Sequence, residues 1–313
     1  LWEALAREGG GVEERVGRVL GELRRQLAAH YPEWRPEGLR VAGAGLSFLV
    51  CRAETETFGT VAIRVPWVAS FVSANDDGIA ARQLLQQEAG VAAHVAAHGI
   101  AAPRVHALHL GDEGFDFMVS EFVEADGSPP DARAFGRLMR AVHECPPPDV
   151  PLVEQTDRPF GLTIAGRIAR RAAAFGALTG RALDLPPVGA MAALLGAGEG
   201  RRSLLHMDAR PENLFTRAGR IVAIADWANA LVGDPALELA RMAEWGHLGD
   251  EFLAGYGEAR PFAALPPAVE SLYRLDAVLV LALVFLDEAP DAELARPLVE
   301  RALELAASLQ VAG

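Results

Sequence analysis

Residues 203–227 constrain this chain more than any other stretch. They read Ser-Leu-Leu-His-Met-Asp-Ala-Arg-Pro-Glu-Asn-Leu-Phe-Thr-Arg-Ala-Gly-Arg-Ile-Val-Ala-Ile-Ala-Asp-Trp, with polar residues set between short apolar, strand-like runs. The turn signal Arg217-Ala218-Gly219-Arg220 joins 214–216 to 221–225 and predicts a hairpin. A hairpin brings the start of its first strand beside the end of its second. Asn213 and Asp226 therefore fall at the same end, with Asp208 in the loop leading in.

Two carboxylates and one amide then converge. An oxygen-rich cluster of this kind suits Mg²⁺, which takes hard oxygen ligands and completes its octahedron with phosphate and water. An asparagine and an aspartate can hold the metal while a second aspartate receives a proton from an attacking hydroxyl. These are the parts of phosphoryl transfer, in which positioning and charge neutralisation do most of the catalysis.

The pattern His206-x-Asp208, then Asn213 after four intervening residues, then Asp226 13 residues further on, resembles the catalytic loop and metal-binding aspartate of the protein-kinase-like superfamily. Asp226-Trp227, Gly233-Asp234-Pro235 and Glu238-Leu239-Ala240 make it similar to the aminoglycoside and macrolide phosphotransferases rather than the protein kinases, which carry Asp-Phe-Gly where this chain has Asp226-Trp227-Ala228. The resemblance implies Asp208 as catalytic base, Asn213 and Asp226 as Mg²⁺ ligands, His206 supporting the loop from behind, and Asp234 hydrogen-bonding loop backbone. It departs from the pattern at Met207, where a small residue such as glycine is usual, and at Arg210, a candidate contact for phosphate or substrate.

The resemblance also calls for a basic residue on the third strand, gripped by a helix glutamate, to hold nucleotide phosphates. The chain contains no lysine; all 29 basic residues are arginine. Arg64, in Thr60-Val61-Ala62-Ile63-Arg64-Val65-Pro66, stands in that position. Glu88 shares a helical face with Leu84, Val91 and Val95. A carboxylate on an apolar face is costly unless paired, and Arg64 is the natural partner. Arginine binds phosphate through a bidentate fork, though it does not replace lysine neutrally. The turn at 42–47, with Gly45 and Ser47, is a candidate phosphate cover, although Gly-x-Gly-x-x-Gly is incomplete. Backbone groups near Glu121 and Val123 would bind the purine edge of ATP or GTP.

Periodicity divides the chain into a helical extension over 1–38, an N-terminal lobe over 39–123 and a helical C-terminal lobe over 124–313. The implied fold is α+β and bilobal, protein-kinase-like, with a small antiparallel sheet in the first lobe. Strands are expected at 39–45, 47–52, 60–66, 105–110 and 115–122, with a turn at 111–114. Helices are expected at 76–98, capped by Asp76 or Asp77, and at 131–144, 161–179, 187–196, 235–257 and 267–310. The extension is read as a cap on the N-terminal lobe or as a dimer contact.

The remaining features exclude other classes. Apolar runs near 277–285 and 221–225 fall short of the roughly 20 residues of a membrane span. No basic, apolar leader is visible, so a soluble cytoplasmic protein is expected. The net charge of −13 and the absence of a basic tract argue against nucleic acid. The resemblance implies a hydroxylated small-molecule acceptor; the acidic balance is compatible with a cationic one and equally with plain solubility, and the chain is expected to be a monomer or homodimer. Cys51 and Cys145 are read as ordinary thiols without a zinc pattern. His94 and His98 form an i, i+4 ligand pair that no His-Glu-x-x-His motif completes. They are read, with His106, His109 and His143, as structural or surface histidines.

Three functions follow: an antibiotic kinase of resistance or self-protection, a metabolic kinase for a choline, homoserine, sugar or nucleoside type of acceptor, and a nucleotide-binding regulator with little catalysis. Asp157, Glu244, Asp250, Glu251 and Glu258 are the candidate carboxylates for a cationic acceptor.

Overall fold

The computed structural model describes residues 11–75, 77–111, 115–155, 158–196 and 202–311. The expected cap Asp76, the turn residues 112–114, the acceptor candidate Asp157 and the first ten residues of the expected helix lie outside them.

Helix α1 (Gly11–His30) leads into an antiparallel sheet of β1 (Glu37–Ala44), β2 (Phe48–Thr55), β3 (Gly59–Pro66), β6 (Val105–His109) and β7 (Phe117–Glu121), in the order β1-β2-β3-β7-β6. Alternation along β3 sends Val61, Ile63 and Val65 to one face and Arg64 to the other. The apolar face packs with Leu49, Cys51, Phe117 and Val119 against Leu23 and Leu27 of α1. Thus α1 caps the sheet; it ends at His30, just before Pro32 and Pro36, and the chain enters β1 at Glu37.

Between β3 and helix α2 (Ala81–Ala97) lies a hairpin, β4 (Ser70–Val72) and β5 (Asp77–Ala80). It shortens the helix expected from residue 76. Gly78 has φ +74, which a right-handed helix does not allow, and Ala80 occupies the N-cap without a side-chain bond. At the other end Gly99, with φ +82, stops α2 as expected.

The second lobe holds α3 (Ala132–Glu144), α4 (Phe160–Thr179), α5 (Val188–Leu195), α6 (Pro235–Glu244), α7 (Asp250–Tyr256), α8 (Pro267–Leu283) and α9 (Ala292–Val311). Two expected long helices are each broken. Gly246, at φ +77, ends the α6 segment, and a π-turn at Val284–Glu288 separates α8 from α9. Two small ribbons carry the polar segments: β8 (Ser203–Leu205) with β11 (Leu231–Gly233), and β9 (Leu214–Arg217) with β10 (Arg220–Ile224). Ala218 and Gly219 take positive φ, as a tight two-residue hairpin turn requires.

The lobes share one apolar cluster. Val91 and Val95 of α2 pack with Phe135 and Met139 of α3 and with Ile224 and Trp227. No helix among the described residues is long and apolar enough to cross a membrane.

Candidate active site

The loop 206–213 leaves β8 and is held from behind by α6. Glu238 accepts the backbone N–H of His206 at 2.9 Å and of Met207 at 2.6 Å. It also pairs with His143 at 2.9 Å, and Tyr256 holds the far nitrogen of that ring at 2.8 Å. Burial raises the Glu238 carboxyl, but the bond from His143 and the surrounding donors outweigh it and hold it below the ordinary range. Asp234, expected to bind loop backbone, instead caps α6 through Ala236 N–H and accepts from Tyr273. The loop-holding role thus belongs to Glu238, which sequence reasoning quoted only as part of a motif.

Met207 has φ +64 and a buried side chain. The left-handed conformation costs about 1–2 kcal/mol for a residue with a Cβ, which accounts for the small residue usual there. Glu238 on its N–H and Arg241 on its carbonyl hold it in place. His206 is fully buried. A carbonyl can only accept, so its Nε2 donates to Ala225 O at 2.9 Å, and Nδ1 receives Asp208 N–H at 3.2 Å.

The β9–β10 hairpin has the expected consequence. Leu214 pairs with Ile224, and Ala225 N–H donates to Asn213 O at 3.0 Å, so Asn213 and Asp226 emerge together. The Asn213 amide nitrogen donates to the carbonyl of Asp208 at 2.8 Å and to its carboxylate at 2.7 Å. That fixes the amide orientation and leaves its oxygen as an acceptor. Asp226 sits at φ +68. An amide oxygen and an anionic carboxylate carried at one end of the hairpin are a hard-oxygen donor set, and they fit Mg²⁺.

The two aspartates are driven apart electrostatically. Burial raises Asp208 and Asp226 adds to it, so its carboxyl lies above the ordinary range despite Arg210 at 3.2 Å. Burial would raise Asp226 too, but Arg64, bonded at 2.9 Å, outweighs it and keeps Asp226 low. Carboxyls pushed in opposite directions by their surroundings take different roles in a site.

Arg64 reaches across the cleft from β3. It pairs with Glu88 at 3.1 Å and with Asp226, and its guanidinium lies 4.3 Å from the centre of the Phe48 ring. Burial, helped by Asp226, lifts the Glu88 carboxyl to about 7 against the pull of Arg64. Gln87, the neighbour of Glu88, donates to the carbonyls of Trp227, Ala228 and Ala230 at 2.8–3.1 Å and accepts Val153 N–H at 2.6 Å. It ties α2 to the segment that follows Asp226. Neither Phe48 nor Gln87 was visible in the sequence, because only the folded chain brings them within reach.

The other candidates lie around this centre. Gly45 N–H is engaged by Phe48 O at 2.8 Å, and the carbonyls of Gly45 and Ser47 are held by Trp67. Glu121 N–H is taken by Arg104 O at 2.8 Å; the bonds that close the strand end stop at Phe122, just before Val123. Among the acceptor candidates, Glu244 is corrected. It is committed to Arg274 and Arg301 at 2.8–3.0 Å, an ion-paired strut between α6, α8 and α9. Glu251 pairs with Arg133 at 3.1 Å.

A sequence model of the phosphotransferase enzyme family matches residues 38–271. No curated protein matches the chain by sequence. Solved structures match its fold over nearly the whole chain. One is aminoglycoside phosphotransferase APH(4)-Ia, in a ternary complex with AMP-PNP and hygromycin B. It has TM-score 0.59 and 17% identity, over 91% of this chain and 98% of that one. A second is a putative fructosamine-3-kinase from Haemophilus somnus, with TM-score 0.64 and 16% identity over 91% and 95%. A third is the GDP complex of aminoglycoside 2'-phosphotransferase-IIIa, with TM-score 0.56 and 14% identity over 92% and 99%.

Proposed function

The chain belongs to the phosphotransferase enzyme family and is a small-molecule kinase with a hydroxyl acceptor, and from that premise we propose that it moves the γ-phosphoryl of ATP or GTP onto a hydroxyl of an aminoglycoside- or macrolide-like antibiotic. The observation that carries this reading is the Asp208–Asn213–Asp226 convergence, with the Asn213 amide nitrogen turned to Asp208 and Asn213 tied by its backbone to Ala225, the neighbour of Asp226.

In this reading Asp208 orients the acceptor O–H and takes its proton as the oxygen bonds to phosphorus. The bond from the γ-phosphorus to the bridging oxygen breaks, and the nucleoside diphosphate leaves with the electron pair. Asn213 and Asp226 would hold Mg²⁺, which neutralises phosphate charge when bound. Arg64, steadied by Glu88 and Phe48, supplies a fixed cation for the phosphates, and Arg210 sits beside the base, where negative charge moves. His206, Glu238 and Arg241 hold the loop so that none of this must be ordered at the moment of reaction. Gly45, Ser47, Glu121 and Val123 would contact the nucleotide in this reading.

The net charge of −13 supports a cationic acceptor. A second reading, a metabolic kinase for a sugar-amine or related alcohol, is favoured by the fructosamine-kinase neighbour. A coupled assay of ADP and GDP release, run with each nucleotide over aminoglycosides, macrolides, fructosamines and hydroxylated metabolites, decides between them. Metal-dependent turnover of an antibiotic supports the first reading. Turnover confined to metabolites supports the second. No turnover together with no metal-dependent nucleotide binding removes the kinase reading.

A further inference from the structure

A second cluster of ligating side chains lies outside the cleft, where α2 ends against α3. His94, His98 and Cys145 each bring one ring nitrogen or sulfur to within 4.8 Å of the others. His94 sits in the last turn of α2, His98 is its C-cap, and Cys145 is the C-cap of α3. The sequence showed only the i, i+4 histidine pair. Cys145 is far along the chain and joins the pair through the packing of Val91, Ala92 and Val95 against Val142 and Leu152. The sequence reads Cys145 as an ordinary thiol and the histidines as structural or surface residues; the fold brings the three together.

The surroundings fix which nitrogen of each ring carries its proton. His94 Nε2 faces Pro146 O at 2.7 Å, and His98 Nδ1 faces His94 O at 2.8 Å. A carbonyl accepts only, so both protons are fixed there. The lone pairs fall on His94 Nδ1 and His98 Nε2, the nitrogens able to take a cation without breaking either bond. A histidine ligand whose second nitrogen donates to a carbonyl is the usual outer-shell arrangement at a metal site. The ring centroids are 4.4 Å apart, so protonating both would set like charges side by side. Cys145 is buried in an apolar setting, and burial raises its thiol.

We propose that His94, His98 and Cys145 form a zinc-class metal site that bridges the two lobes, with a fourth position open to water or an exogenous ligand. Two imidazoles and a thiolate are a borderline-soft set, suited to Zn²⁺ and unlike the all-oxygen cluster of the cleft. Metal bonds of about 2.0–2.3 Å require the ligand atoms to draw in by about an ångström, within reach of side-chain rotation. Binding forms the metal–sulfur bond and releases the thiol proton to solvent. The metal would pin the end of the helix that carries Glu88 to the C-terminal lobe. His94 lies six residues, about 9 Å of helix, beyond that glutamate.

The test is a titration of the full chain with Zn²⁺ against a chromogenic chelator, in excess Mg²⁺ to occupy hard-oxygen sites, with Co²⁺ as a spectroscopic probe. One Zn²⁺ per chain, a melting temperature that rises with Zn²⁺, and a thiolate-to-cobalt charge-transfer band are expected. His98→Ala, at an exposed position, should weaken Zn²⁺ binding at least tenfold, and Cys145→Ser should remove the band. Absence of stoichiometric binding, binding unchanged in His98→Ala, or cobalt binding without the band would each overturn the proposal. None of these outcomes depends on the acceptor or on catalytic turnover.

Discussion

At the residue scale, the site depends on side chains whose charge and backbone are set by their neighbours. As the proposed base, Asp208 must be ionised to take a proton, and burial raises its carboxyl. The acid limb of kcat/KM should therefore lie above the ordinary aspartate range, activity rising with pH through it. Asp208→Asn should lower kcat by on the order of a hundredfold or more while a fluorescent nucleotide still binds. Transfer that survives in this variant would remove Asp208 as the base. Met207 combines a left-handed backbone with a buried side chain. Met207→Gly relieves about 1–2 kcal/mol of strain but forfeits a buried side chain, a loss of about 2–5 kcal/mol. The variant should be net less stable in urea, and a rise in stability would show that strain outweighs packing there.

At the element scale, helices approach closely where glycine permits it. A Cβ on Gly136 of α3 would lie 2.0 Å from the carbonyl oxygen of Phe252 in α7, and one on Gly255 would lie 2.0 Å from that of Arg133. These neighbours are backbone and cannot rotate away. Gly136→Ala should destabilise by at least the ~1–3 kcal/mol of ordinary overpacking, read as a lowered urea midpoint; an unchanged midpoint would mean the helices slide apart freely. Elements of this kind were unevenly legible. The β9–β10 hairpin could be read because its turn and its alternating strands lie within a few residues. The sheet strands and the periodic helices α3, α4 and α5 were legible for the same local reason. The β4–β5 hairpin was not, since its strands are short and their pairing depends on Gly78. Nor were the breaks in α6–α7 and α8–α9, where apolar periodicity continues past the end of the hydrogen-bonded helix. In the site, Asp208, Asn213 and Asp226 were visible through spacing, and Arg64 through the resemblance, which called for a basic residue on the third strand. Glu238, Gln87 and Phe48 act through contacts between distant segments that no spacing reveals.

At the scale of the whole molecule, stability of the larger lobe is tied to one buried anion. Asp276 of α8 is fully buried, receives Arg167 of α4 through two bonds at 2.8 and 2.7 Å, and takes Arg171 at 3.0 Å. Arg167 also reaches Glu154 at 3.0 Å, so the cluster links α8, α4 and the segment before α4. Burial raises Asp276, but the three nearby guanidiniums of Arg167, Arg171 and Arg241 overcome it and hold the carboxyl at about 2. An unfolded aspartate titrates near ~3.9. A carboxyl depressed in the folded state contributes stability that is fully present above the unfolded value and is lost as pH falls toward the folded one. Unfolding free energy should therefore lose about 2–3 kcal/mol from this residue progressively between roughly pH 5 and pH 1. Asp276→Asn leaves buried guanidiniums without their counter-charge and should cost about 3–5 kcal/mol at neutral pH. The gap between wild type and variant, measured by urea denaturation, should then narrow as pH drops through that window, because the native aspartate also becomes neutral. A gap that stays constant down to pH 2 would show that the cluster holds the helices by shape and hydrogen bonding rather than by the charge on Asp276.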